Sequence, residues 1–177
     1  MRLLRTIRLD PSDGFIFPSA APPGEWAISG ALAFSDVDAA SLDGKELAAF
    51  RGGFLGVPSL GWSTLAQVVE AEATDRVQAI DLLARCLLER FGAPDEDAAR
   101  TVATEEIDFA ASLGDLPPDT LIAVHRRHEG GAIREAFRSL RPRGDGTRWR
   151  AFSFDATAAE EEAGIVDLAA LARGTDQ

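Results

Sequence analysis

The dipeptide Gly130-Gly131 constrains this chain more than any other feature. It lies between two segments, 120–129 and 132–142, in which apolar and polar residues alternate. Both central positions of a tight type I′ hairpin turn need positive φ, which glycine adopts without a Cβ penalty. Counting outward from the turn pairs His128 with Ile133, Arg126 with Glu135, Val124 with Phe137 and Ile122 with Ser139. Residues two apart on a strand share a face, so these eight side chains are predicted to lie together. The alternative is a helix over Ala132 to Leu140, because Ile133, Phe137 and Leu140 also recur at helical spacing. The hairpin is the preferred reading. A second turn at Pro142 to Gly146 then leads to a third strand from Thr147 to Asp155.

The same region holds the strongest charge asymmetry of the chain. Between residues 120 and 150 there are eight arginines, opposed by Glu129, Glu135 and Asp145, while the whole chain carries −11. Arginine binds carboxylate and phosphate through a planar fork, so a basic ribbon suits an anionic ligand or an acidic protein surface. Arg126, Arg127, His128, Arg134 and Arg138 are the candidate binding residues. The structural alternative is cross-strand pairing such as Arg126 with Glu135, and exposed pairs of that kind add only about 0–1 kcal/mol each. The acidic remainder opposes nucleic acid as a main ligand.

Upstream, Leu3 to Asp10 reads as a strand and Phe15 to Phe17 as a short one closed by Pro18. Trp26 to Phe34 has the cleanest alternation in the chain and is predicted to be a strand throughout. A helix is expected from Leu42 or Gly44 to Arg51, with a left-handed glycine at its end. The following Gly52-Gly53-Phe54-Leu55-Gly56 has neither Gly-Lys-Ser/Thr nor G-x-G-x-x-G spacing, and is not read as a phosphate loop. Trp62 to Ala71 reads as a central strand. Asp75 to Phe91 is the best amphipathic helix, with Thr74 as its expected cap and Gly92 as its stop. A second helix, Pro94 to Leu113, has a weaker stripe of Ala98 or Ala99, Val102, Glu106 and Phe109 or Ala110. A short helix is expected near Val166 to Arg173, with residues 174–177 frayed.

These elements predict a single α+β domain over residues 1–177, with an antiparallel sheet of about six strands and two main helices packed on one face. A lone cysteine, Cys86, excludes an internal disulfide and reads as a packed residue. His125 and His128 are three apart on a strand and point to opposite faces, so no metal is expected between them. No stretch has the length of a membrane span or of a signal-peptide core, which gives a cytoplasmic expectation.

The opening MRLLRTIRLDPSD, the segment Pro23 to Ala27 and the segment Phe109 to Leu113 resemble a small family of bacterial proteins of unknown function. That resemblance carries over no site residues and implies an accessory role. The leading reading is therefore a binding or accessory protein, without cofactor or chemistry of its own, that uses the Arg/His hairpin to hold an acidic partner or an anionic small molecule. The alternative is a small cofactor-free enzyme with His125 or His128 as acid/base and an arginine as anion clamp. A third option is a homo-oligomer, since Trp26, Trp62 and Trp149 exceed what one sheet face requires.

Overall fold

The computed structural model describes residues 1–142 and 152–162. Its strands are β1 (Arg2–Ile7), β2 (Trp26–Ile28), β3 (Phe54–Val57), β4 (Trp62–Ser63), β5 (Leu65–Glu70), β6 (Leu121–Glu129), β7 (Ala132–Pro142) and β8 (Phe152–Glu162). Its helices are α1 (Asp13–Ile16), α2 (Gly44–Gly52), α3 (Ala73–Arg90) and α4 (Glu96–Leu113). One sheet runs in the order β4-β3-β2-β1-β5-β6-β7-β8, with antiparallel pairing throughout. The fold is α+β, as the sequence predicts. There are eight strands among the described residues instead of about six, because β3 is additional and the Trp62 to Ala71 segment divides at Thr64.

The β6–β7 hairpin has the expected turn and register. Gly130 and Gly131 have φ of 62° and 82°, and Arg126 stands across from Glu135 and Val124 from Phe137. The helical alternative for 132–140 is overturned. The second turn beyond Pro142, residues 147–151 of the third strand and the helix near 166–173 lie outside the described residues. The described part of that third strand continues beyond Asp155 to Glu162.

Three other expectations are corrected. The Trp26 to Phe34 alternation makes a strand only to Ile28. Gly30 then turns left-handed with φ 88°, and Ala31–Phe34 is a 3-10 turn that still buries Leu32 and Phe34. Phe15 and Ile16 belong to the single turn α1, whose buried Asp13 accepts a hydrogen bond from the Thr64 hydroxyl at 2.6 Å. Gly53, after α2, is extended rather than left-handed (φ −98°), because the chain passes directly into β3.

Helices α3 and α4 pack on each other and are tied by Arg76–Asp108 and Arg100–Asp81 ion pairs. α3 buries Ile80, Leu83, Ala84 and Leu87 on one face and leaves Val77 exposed. Its first turn is closed by Glu72 and Asp75, not by Thr74: the Glu72 backbone N–H donates to Asp75 Oδ2 at 2.9 Å. Cys86 is buried, and that burial raises its thiol pKa, so it behaves as a packed side chain. At the start of α4 the Asp95 carboxylate accepts the Ala98 N–H at 2.8 Å. Asp95→Ala is therefore expected to lose about 1 kcal/mol in urea unfolding, the usual value of such a cap.

Trp26 and Trp62 are consumed inside the chain. Arg5 lies 3.6 Å above the Trp26 ring, and Trp62 stacks on Phe34 with centroids 5.3 Å apart. Trp149 is outside the described residues. Among the described residues no helix is long and apolar enough to cross a membrane.

Candidate functional site

The period of two in β6 and β7 sorts the basic ribbon into two different environments. Ile122, Val124 and Arg126 on β6, with Phe137 and Glu135 on β7, face the helices. Phe109 of α4 meets Phe137 edge-on at 5.7 Å, and α2 lies over β6. His125 and Arg127 on β6, with Arg134 and Arg138 on β7, take the opposite face. The two histidines are thus on opposite faces, as the sequence predicts. His128 is on the helix side of the ribbon, exposed, with its ring 6.5 Å from that of Phe50.

Arg126 is the largest fully buried side chain among the described residues. It reaches the end of α2, where the last carbonyls of a helix lack intrahelical donors and carry partial negative charge. Nη1 donates to the Ala49 and Phe50 carbonyls at 3.3 and 2.9 Å, and Nη2 to the Gly53 carbonyl at 2.8 Å. Nε donates to Glu135 Oε1 at 2.5 Å, in an ion pair with both side chains buried. Burial lowers the guanidinium pKa, while the neighbouring Glu135 and then Glu106 oppose that shift. The cross-strand pair is the expected one, but it is a core feature and Arg126 is not on the ligand-accessible surface.

Glu106 of α4 is close enough for its charge to act on this pair. Its Oε2 and the Oε2 of Glu135 are buried and have no hydrogen-bond partner from the protein. Burial, followed by the charge of Glu135, raises the Glu106 carboxyl to about 7. Sequence reasoning did not single out Glu106 as a site residue. The available signal was a carboxylate at a core position of an otherwise apolar helical stripe.

The open face carries Arg127, Arg134 and Arg138 of the candidate set. Arg127 and Arg134 occupy directly opposed positions, Arg138 stands across from Ala123, and His125 stands across from Ala136. Glu129 lies 3.1 Å from Arg127 and 3.5 Å from Arg134. Arg127 and Arg138 are exposed and Arg134 is partly so. At the edge of this face β8 brings Glu162 and Glu160 into register with Arg134 and Ala136. Three of the five predicted residues, Arg127, Arg134 and Arg138, therefore share a surface, while Arg126 and His128 do not join them.

A family model described as "Family of unknown function (DUF6505)" matches residues 1–158. No curated protein and no solved structure matches the chain.

Proposed function

We propose that this chain, which belongs to the DUF6505 family, is a binding or accessory protein whose open sheet face at His125, Arg127, Arg134 and Arg138 holds an acidic protein partner. The observation that carries this reading is the register: two arginines directly opposite on an exposed face, with a third on the next pair but one. Like charges directly opposite in a sheet oppose folding. Glu129 lies beside both arginines. Arginine forks on an exposed face recognise carboxylates directly.

The test combines binding with stability. Replacing Arg127, Arg134 and Arg138 together by serine is expected to weaken binding of polyglutamate at low salt at least tenfold. The urea midpoint of the same variant should stay unchanged. A variant that binds polyglutamate as the parent does, or that loses more than about 1 kcal/mol of stability, would show that these arginines serve the fold instead.

A further inference from the structure

The open face does not end at the arginines. Arg138 on β7 stands across from Ala123 on β6, Ala123 across from Leu65 on β5, and Leu65 across from Ile7 on β1. Directly opposed residues point to the same side of a sheet. The row therefore runs from an exposed guanidinium through three half-buried apolar side chains. Neighbouring strands lie about 4.8 Å apart, which puts Ile7 roughly 14 Å from Arg138.

Beyond Ile7 the row meets a concentration of exposed apolar side chains. Leu9 follows β1, and Phe15 and Ile16 belong to α1; they are 49%, 76% and 42% exposed. Ile7, Leu9, Ile16 and Leu65 together wall a surface hollow of about 150 Å³, the size of cavity that holds a benzene ring. α1 is fixed beside the start of β5 by the buried Asp13, whose carboxylate accepts the Thr64 hydroxyl, and by the buried Phe17 that follows it. Those two contacts hold the turn, and neither needs an apolar residue on its outer side. Large apolar side chains gathered on a surface mark interaction sites.

We propose that this hollow and the arginine face form one docking surface, and that its occupant is an acidic amphipathic segment of a partner protein. An apolar side chain of that segment sits among Ile7, Leu9, Ile16 and Leu65. Its carboxylates reach Arg138, about four or five residues further along, since an extended chain advances about 3.3 Å per residue. The inference rests on the reading of the open face as the site of an acidic partner, and adds the chemistry of the partner's other end. Charge sets the occupant and its direction. Arg138 attracts carboxylates at one end of the row. Asp10 and Asp13 also line the hollow and repel them at the other.

The experiment measures binding of three labelled peptides to the full chain by fluorescence anisotropy at low salt. The first carries a leucine followed at about five residues by a run of glutamates. The second has serine for that leucine, and the third has glutamine for the glutamates. The first should bind at least tenfold more tightly than either of the others, the order expected for burying one leucine side chain. A Leu9→Ser/Ile16→Ser variant, changed at two exposed positions, should lose the preference for leucine and still bind the serine peptide as the parent does. The comparison on the parent does not require the variant to fold. Glutamate peptides that bind equally with leucine or serine would overturn this inference and leave the acidic-partner reading in place. Failure of both glutamate peptides to bind would overturn the two together. A leucine preference that survives in the double variant would put the apolar contact elsewhere and also overturn it. A parent that sediments as a dimer, with the double variant a monomer, would assign the hollow to a second copy. Tighter binding of the first peptide after Leu168→Ser and Leu171→Ser would assign it to the chain's own residues 163–177.

Discussion

Arg126→Met is expected to destabilise the protein by about 3–5 kcal/mol, the range for removing one partner of a buried ion pair. That is a large part of the roughly 5–15 kcal/mol that holds a typical domain together. Methionine fills similar space, so the loss comes from chemistry more than from a cavity. Glu135 would keep a buried charge without its cation, and the Ala49, Phe50 and Gly53 carbonyls would lose the guanidinium N–H groups, Ala49 keeping only its bond from the Gly53 N–H. Arg126→Lys should recover only part of the loss, because an ammonium cannot bridge a carboxylate and three carbonyls in fixed directions. Adding Glu135→Gln to Arg126→Met should cost much less than the sum of the two single changes, since no orphaned charge then remains. Urea midpoints of the four proteins give this coupling. A loss below about 1 kcal/mol for Arg126→Met would mean that the guanidinium is reachable by water and that α2 does not depend on it.

How far this cluster was legible follows from which of its contacts are local. The pairing of Arg126 with Glu135 was readable because Gly130-Gly131 sets the turn and the alternation sets the register, all within nine positions of sequence. The burial of that pair was not. It depends on the end of α2, 77 positions away along the chain from Arg126 to Ala49, settling on β6. Periodicity assigns a residue to a face but does not say which helix covers that face, or how deeply. A clue was present all the same. Arg126 shares its strand face with Ile122 and Val124, Glu135 with Phe137, and Glu106 falls in the stripe of Val102 and Ala110. Three ionisable residues at core positions on three elements are hard to satisfy separately, and easier to satisfy together. The overall excess of arginine hid this, because it made Arg126 look like one more member of a surface band. The open-face members, Arg127, Arg134 and Arg138, needed no distant information, and their common face was already fixed by the hairpin.

The cleanest alternating segment of the chain gave a strand prediction that ended early, and Gly30 gives the reason and the second large effect. Gly30→Ala is expected to cost about 2–5 kcal/mol, from two separate sources. The first is backbone conformation: φ is 88°, and a left-handed residue with a Cβ costs roughly 1–2 kcal/mol. The second is space. A Cβ there would come within 2.7 Å of the Trp62 ring and 3.1 Å of Leu55 Cβ. The ring has little freedom to retreat, since Trp62 stacks on Phe34, Phe34 meets Phe50 edge-on at 5.2 Å, and the Phe50 carbonyl is held by Arg126. Overpacking of that kind typically costs about 1–3 kcal/mol. Two further glycines separate the sources. Gly92 has φ 69°, and a Cβ added there would meet no atom within 4 Å, so Gly92→Ala should show the backbone cost alone. Gly14 has neither constraint, and Gly14→Ala should change stability by no more than about 0.5–1 kcal/mol in either direction. The alanine series is therefore expected to rank Gly14, Gly92, Gly30 in order of increasing loss, with a changed near-ultraviolet tryptophan signal only for Gly30. Equal losses at Gly92 and Gly30 would mean that the Trp62 ring yields freely. The aromatic chain from Gly30 to Arg126 would then be loosely packed rather than a rigid link between the two halves of the sheet.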